Sequence, residues 1–365
     1  MFKFFNDVYR NKKVLVTGCT GFKGSWLCLW LKELGAEVYG IALESEYMDD
    51  HFNSIKLADK IDYKYLDIRN YESVQREVDS FKPDFIFHLA AQAIVGVSFE
   101  NPHYTFETNI VGTLNILEAI RNYEKKCTAV IITSDKCYRN VEKDEGYVED
   151  DTIGGDDPYS ASKGGAELVI ASYIESFFRG TNKHIASTRA GNVIGGGDRS
   201  KFRLVPDCIT ALNNDDPIII RNPESTRPWQ HVLEPLSGYL LLGMHLSTGQ
   251  DIFSTGWNFG PKVGETKTVN EVAKEIISVW GSGEISIDRN QQFNESCLLQ
   301  LDCTKAKRLL DWEPTLNFHE CIRFTAEWYK HDSQQSVHDM FSFSMDQIEE
   351  YSKLANDRGQ PWIGT

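Results

Sequence analysis

The sequence predicts an α/β chain built on a doubly wound parallel sheet, with a smaller lobe following it. Three observations lead there. Short apolar runs alternate with helical stretches through the first half, a glycine-spaced turn separates the first run from the first helix, and the rhythm breaks after Asn192. At 365 residues the chain is long enough for one large or two modest domains.

Taken in order, Lys13 to Thr17 reads as a strand buried on both faces, because Val14, Leu15 and Val16 form a continuous apolar run. A helix follows from about Phe22 to Leu34. Glu37 to Leu43 and Asp62 to Leu66 read as the second and third strands, and Tyr71 to Ser80 as a helix. Phe85 to His88, set off by Pro83, is a fourth strand, and a long helical pattern covers Thr105 to Asn122. Ala129 to Thr133 is a fifth strand, Pro158 to Phe178 a helix, and Ile185 to Arg189 a sixth strand. Such alternation calls for a parallel sheet covered on both faces.

Residues 1–191 are therefore expected to form the sheet domain, and 192–365 mainly a second lobe. Gly195-Gly196-Gly197-Asp198 opens that lobe as a loop. Within it, Ile218 to Ile220 reads as a short strand. Val232 to Leu246 reads as a helix able to pack back on the sheet. The polar tail after about Asp332 reads as partly loose.

Charge narrows the function classes. Lys plus Arg number 38 and Asp plus Glu 53, a net charge of −15, and such a surface repels nucleic acids and anionic lipid. No apolar run approaches the ~20 residues that span a bilayer. The eight cysteines are Cys19, Cys28, Cys127, Cys137, Cys208, Cys297, Cys303 and Cys321. They form no C-x-x-C pair and show no zinc spacing, so they read as reduced thiols of a cytoplasmic protein that holds no metal. Met1 to Tyr9 lacks the pattern of a signal peptide.

Thr17-Gly18-x-x-Gly21-x-x-Gly24 lies between a strand and a helix. In that context the first glycine permits the tight turn, the second lets the backbone approach a pyrophosphate, and the third lets helix and strand pack closely. The helix N-terminus then offers free N–H groups to the phosphates. This is a Rossmann-type dinucleotide site; Lys23 does not meet the spacing of a P-loop. An acid is expected at the end of the second strand, yet Ala42 stands there, and Glu44 is the nearest carboxylate. No Lys or Arg lies between Gly40 and Asp50, which favours NAD over NADP. Asp67 and Ile68 are candidates to flank the adenine, with a helix N-cap the other reading of Asp67. Cys19 inside the turn reads as packing.

Tyr159 and Lys163, four residues apart on a predicted helix, share one face. A nearby ammonium favours phenolate, so such a tyrosine can serve as a base near neutral pH. Ser134 lies at a strand end beside them.

These motifs, with His88-Leu89-Ala90-Ala91 and Asn109, resemble the extended short-chain dehydrogenase/reductase family over roughly residues 10 to 325. The resemblance implies a catalytic set of Ser134, Tyr159 and Lys163. Tyr159 and Lys163 join Thr17, Gly18, Gly21, Phe22, Gly24 and Ala90 as cofactor contacts, and Asn109 takes a structural or proton-relay role. The segment Thr133-Ser134-Asp135-Lys136-Cys137-Tyr138 narrows the likeness to the nucleotide-sugar 4,6-dehydratases, which carry Asp then Glu where this chain has Asp135-Lys136. With Arg189-Ala190-Gly191-Asn192-Val193-Ile194-Gly195-Gly196-Gly197-Asp198 and Arg227-Pro228-Trp229-Gln230-His231-Val232, it is similar to the members acting on CDP-sugars.

The implied reaction oxidises C4, eliminates water across C5 and C6, and returns the hydride to C6, with NAD kept between turnovers. Asp135 is implied as the acid for the departing hydroxyl. Lys136 is the candidate C5 base, since burial can depress a lysine into the working range. Asn192, Arg203, Arg221, Arg227 and His231 are the candidate contacts to the CDP-sugar, because Arg forks suit a diphosphate. Trp229 and, against its place among the contacts, His231 read more readily as core or loop residues, and Asp302 as the cap of the helix after it. The resemblance further implies a homodimer or dimer of dimers, and a supply of 3,6-dideoxyhexoses for bacterial surface polysaccharide. Three rivals stand beside this reading: a 4,6-dehydratase of GDP- or dTDP-sugars, a nucleotide-sugar epimerase or reductase, which needs no Asp135-Lys136 pair, and a catalytically inactive NAD-sensing protein, which needs no intact Ser134, Tyr159 and Lys163.

Overall fold

The computed structural model describes residues 3–201, 203–288, 299–334 and 339–364; Cys297 lies outside them. Seven strands form the main sheet: Lys13–Thr17 (β1), Glu37–Ala42 (β2), Asp62–Tyr65 (β3), Phe85–His88 (β4), Cys127–Ile132 (β5), Lys183–Arg189 (β6) and Gly256–Asn258 (β7). Their order is β7-β6-β5-β4-β1-β2-β3, and every pairing is parallel. Parallel neighbours need crossover connections, and the longer helices are Phe22–Glu33 (α1), Tyr71–Phe81 (α2), Gly112–Asn122 (α3), Pro158–Tyr173 (α4), Leu204–Asn213 (α5), Leu233–Ser247 (α6), Val269–Trp280 (α7), Phe318–Ser333 (α8) and Met340–Asp357 (α9). The predicted doubly wound sheet is the observed one.

Alternation along the strands divides the core. Val14 and Val16 of β1 point to the face covered by Trp26, Leu27 and Trp30 of α1 and by Leu236, Leu240 and Leu241 of α6. Leu15 points to the other face, with Val74 and Val78 of α2, Ile116 and Ile120 of α3, and Ile170 of α4. A strand buried on both sides has no polar face, which is why β1 reads as an unbroken apolar run. β1 pairs with β2 on one side and β4 on the other, so the order reverses there and leaves a crevice beyond its C-terminal end.

Several expectations need correction. Gly256–Asn258 is a seventh strand beside β6, and three residues are too few to display a strand period. The helix of Thr105 to Asn122 is interrupted by a π-turn at Glu107–Val111, and Ile174–Phe178 ends α4's stretch in another. Asp67 is not the helix cap; Asn70 is, accepting from Ser73 N at 2.9 Å. Asp302 does accept the Thr304 N–H, at 2.7 Å, where Thr304–Leu310 begins.

The C-terminal segment is the largest difference. Instead of a loose tail, α9 buries Ile348, Tyr351 and Ala355, and Ile363–Gly364 pairs antiparallel with Lys3–Phe4. Trp362 stacks on Phe5 at 5.0 Å and meets Trp30 edge-on at 5.7 Å. Polar Ser, Asp and Gln spacing hid this apolar face. Replacing Trp362 with Ala is expected to destabilise the protein by about 3–5 kcal/mol, read by denaturant unfolding followed by far-ultraviolet circular dichroism.

Candidate active site

The glycine turn is built by contact. Gly18 has φ 74°, and a Cβ there would lie 2.8 Å from Ala90 N. A Cβ on Gly24 would lie 2.0 Å from Gly18 O, so only glycine lets α1 begin this close to β1. The Thr17 hydroxyl accepts from Leu89 N (3.1 Å) and Ala90 N (3.0 Å) and bonds His88 Nδ1 at 2.7 Å, locking the ends of β1 and β4 together. Gly21 is exposed and caps α1 with no side-chain bond, which leaves the helix's first N–H groups open to an anion. These features fit the pyrophosphate of a dinucleotide.

The rim is less committed. Ala42 is buried and Glu44 exposed just beyond β2. Asp67 is engaged by Arg69 at 2.6 Å, which holds its carboxyl below the usual range. Ile68 packs under Gly112, and its carbonyl accepts from Asn115 Nδ2 at 2.9 Å. Cys19 packs against Gly40, where an added Cβ would come 2.4 Å from its Sγ; burial pushes this thiol up to about 12.

Beyond the turn, Ser134, Asp135, Tyr159 and Lys163 are all buried together. Ser134 Oγ donates to Asp135 Oδ1 at 2.9 Å and accepts from Lys136 N at 3.2 Å, on the side facing Tyr159. Burial first, and then Asp135, push Tyr159 up to about 12, against Ser134 and Arg203, which lower it. Burial outweighs Arg203, and Lys163 is not among the groups that act on Tyr159 here. Burial lowers Lys163 to about 7, with Lys23 adding to the effect and Glu167 and Cys137 opposing it. Lys23 is lowered to about 8 by burial and Arg203, against Asp135 and Asp198. Lys136 is half-buried beside them.

A buried ion pair stands behind this group. Arg189 Nη2 meets Glu167 Oε2 at 2.8 Å, and Ser187 Oγ donates to the same oxygen at 2.8 Å. Burial works to raise Glu167, but Arg189 and the bonds from Arg189, Thr133 and Ser187 hold it below the ordinary value. Asn109, in the π-turn, accepts from Gln92 N (2.8 Å) and donates to Gln92 O (3.0 Å) and Ser162 Oγ (2.8 Å), a structural brace for α4.

The candidates from Asn192 onward separate. Asn192 has φ 51°, and its carbonyl accepts from Gln230 N at 3.2 Å, which places it directly after Gly191 at the Asp135 carboxylate. Arg203 pairs with Asp198 at 2.7 Å and faces Tyr159 and Lys23. Arg227 is half-buried in the ribbon Thr226–Arg227/Lys267–Thr268, its Nη1 donating to Thr226 O at 2.8 Å. Trp229 Nε1 donates to Lys267 O at 3.0 Å across the same ribbon. Arg221 is exposed and faces Asp207 of α5, outside this cluster. His231 follows its core reading: it is fully buried between Trp26 and Phe324, and burial lowers it to about 3.

Against known proteins, a sequence model of the family described as GDP-mannose 4,6 dehydratase matches residues 15–325. The chain belongs to that family. It is 44% identical over 330 residues to CDP-glucose 4,6-dehydratase of Salmonella typhimurium, covering 89% of this chain and 92% of that protein. It is 31% identical over 338 residues to CDP-paratose 2-epimerase of Salmonella typhi, covering 87% and 98%. The Thermus thermophilus UDP-glucose 4-epimerase in complex with NAD superposes with TM-score 0.74 at 26% identity, covering 87% of this chain and 99% of that one. The resemblance carried by the motifs is borne out.

Within this family member, three residues of the site are given no role by the sequence. Lys23 is weighed there only as a P-loop lysine and set aside on spacing. Glu167 follows Lys163 by four, and that helical spacing was the signal available. Gly191 has no such signal. Lys163 is faced by Lys23 from α1, His88 from β4, Cys137 after β5 and Glu167 from its own helix. Replacing Lys23 with Met removes a neighbouring positive charge, so Lys163 is expected to titrate above its present value of about 7, measured by NMR titration of isotopically methylated lysines.

Proposed function

We propose that the chain is an NAD-dependent CDP-glucose 4,6-dehydratase, which converts CDP-D-glucose to CDP-4-keto-6-deoxy-D-glucose and water. The near-full-length likeness to the Salmonella enzyme carries this reading. The turn of Gly18, Gly21 and Gly24 would hold the cofactor's pyrophosphate, with Thr17, Phe22 and Ala90 around it and Glu44, Asp67 and Ile68 toward its adenosine end. NAD, when bound, supplies the acceptor and later the donor of one hydride.

The residues divide the proton work. Ser134 orients the C4 hydroxyl toward Tyr159, which takes its proton as cationic charge favours the phenolate. Arg203 already acts in that direction. Lys163 orients the cofactor's ribose. Once C4 is a ketone, the C5 proton is acidic; Lys136 takes it or stabilises the enolate, and Asp135 gives a proton to the departing C6 hydroxyl. Asn192, Arg203 and Arg227 hold the diphosphate.

Further support comes from the surroundings. No helix among the described residues is long and apolar enough to cross a membrane, and the seven described cysteines are free, in keeping with a cytoplasmic enzyme. Phe99, Phe106, Val111, Leu168 and Phe177 are exposed along α4 and the helices beside it, an apolar face suited to a homodimer. A 4-keto-6-deoxy product is the starting point for 3,6-dideoxyhexoses of surface polysaccharide.

Incubating the purified protein with CDP-, dTDP- and GDP-hexoses side by side is expected to give a 4-keto-6-deoxy product from CDP-glucose alone. An epimerised sugar with its 6-hydroxyl intact would sink the proposal. Replacing Lys136 with Met is expected to abolish solvent-hydrogen exchange at C5 while C4 oxidation, read from near-ultraviolet cofactor absorbance, persists. A Cβ at residue 191 would lie 1.8 Å from Asp135 Oδ2, the movable end of that side chain. Gly191→Ala is therefore expected to keep its melting temperature yet lose about 100-fold in kcat as the carboxylate swings away.

A further inference from the structure

The Glu167–Arg189 pair joins the backbone segments that carry the reacting groups. Glu167 lies on the face of α4 that also bears Lys163 and Tyr159, about one and two turns away. Its carboxylate takes the hydroxyl of Thr133, the residue directly before Ser134-Asp135. The same carboxylate takes Ser187 Oγ and Arg189 Nη2 of β6, both at 2.8 Å. Arg189 in turn stands two residues before Gly191, whose backbone abuts the Asp135 carboxylate.

Arg189 is itself over-determined. Its Nη1 donates to the Tyr138 hydroxyl at 2.5 Å and to Glu149 O at 2.9 Å. The Tyr138 hydroxyl donates to Asn258 Oδ1 of β7 at 2.8 Å. A Cβ on Gly256 would come 2.7 Å from Arg189 Nη2, so β7 leaves room for the guanidinium. Both charges are buried. A buried ion pair is weak evidence for stability, because an apolar pair of similar volume often does as well. Its bonds instead run to the two strand ends and the helix that the chemistry uses.

We propose that Glu167, held by Arg189, is a positioning residue that sets the placement of Ser134 and Asp135 against Tyr159 and Lys163. This rests on the dehydratase reading above. A misplacement of about 1 Å between reacting groups costs on the order of 100-fold in rate.

The test separates positioning from stability. Glu167→Met combined with Arg189→Met removes both charges together, so no uncompensated charge remains in the core. This double variant is expected to stay folded, with a melting temperature lowered by the Ser187 and Glu149 groups it leaves unpaired, and to lose about 100-fold in kcat, with the KM for CDP-glucose changed less than about threefold. A double variant with wild-type kcat overturns the proposal. If that protein does not fold, Thr133→Val, which removes one bond onto Glu167 and keeps the shape, carries the same decision: a lower kcat at constant KM supports positioning, and an unchanged kcat overturns it. Wild-type turnover of CDP-glucose is measured in parallel. Should the wild type instead consume another nucleotide sugar, the functional reading fails, and the variants are compared on that sugar.

Discussion

Gly18 at the end of β1 and Gly24 in the first turn of α1 approach so closely that no side chain fits between them. This contact sets the N-terminus of α1 at the point where the sheet order reverses. From there α1 runs beneath the segments that follow β6. Trp26 Nε1 donates to Gly196 O at 3.0 Å, and Gly196 has no room for a Cβ against Trp328 of α8. The cofactor turn, the loop after Asn192 and the C-terminal helices are thus linked by one line of backbone contacts. A change at the turn would be felt across the molecule.

Charge is arranged against the overall balance. The protein carries a net charge of −15, yet Lys23, Lys163, Arg189 and Arg203 converge around Ser134, Asp135 and Tyr159. A cationic cleft within an acidic protein concentrates the field on a bound anion. Each cation is compensated differently. Arg189 has Glu167 and Arg203 has Asp198. Lys163 and Lys23 are both lowered by burial, so they gain most from a negatively charged ligand. The arrangement suits a site that takes two diphosphates, one from the cofactor and one from the substrate.

Much of this was legible beforehand because its causes are local. The apolar run Val14-Leu15-Val16, the glycine spacing and the Tyr159/Lys163 interval each follow from a period of the backbone. The strands and helices of the first half came out close to their observed bounds for that reason. Arg221 and the C-terminal segment did not. Even the core reading of His231 gives no local sign that Trp26 and Phe324 enclose it. Trp362 gives no sign that its partners are Phe5 and Trp30, more than 300 positions away along the chain.

By itself the sequence determined the parallel sheet, the dinucleotide turn and the identity of the groups able to move protons, since these depend on neighbours a few residues apart. The tertiary structure decided which of them act together. Only folding brings Gly191 against Asp135, turns Lys23 toward Arg203 and Asp198, and closes Glu167 onto Thr133, Ser187 and Arg189. Those contacts join distant strand ends, and burial, which no short stretch of sequence encodes, sets the charge that each group carries.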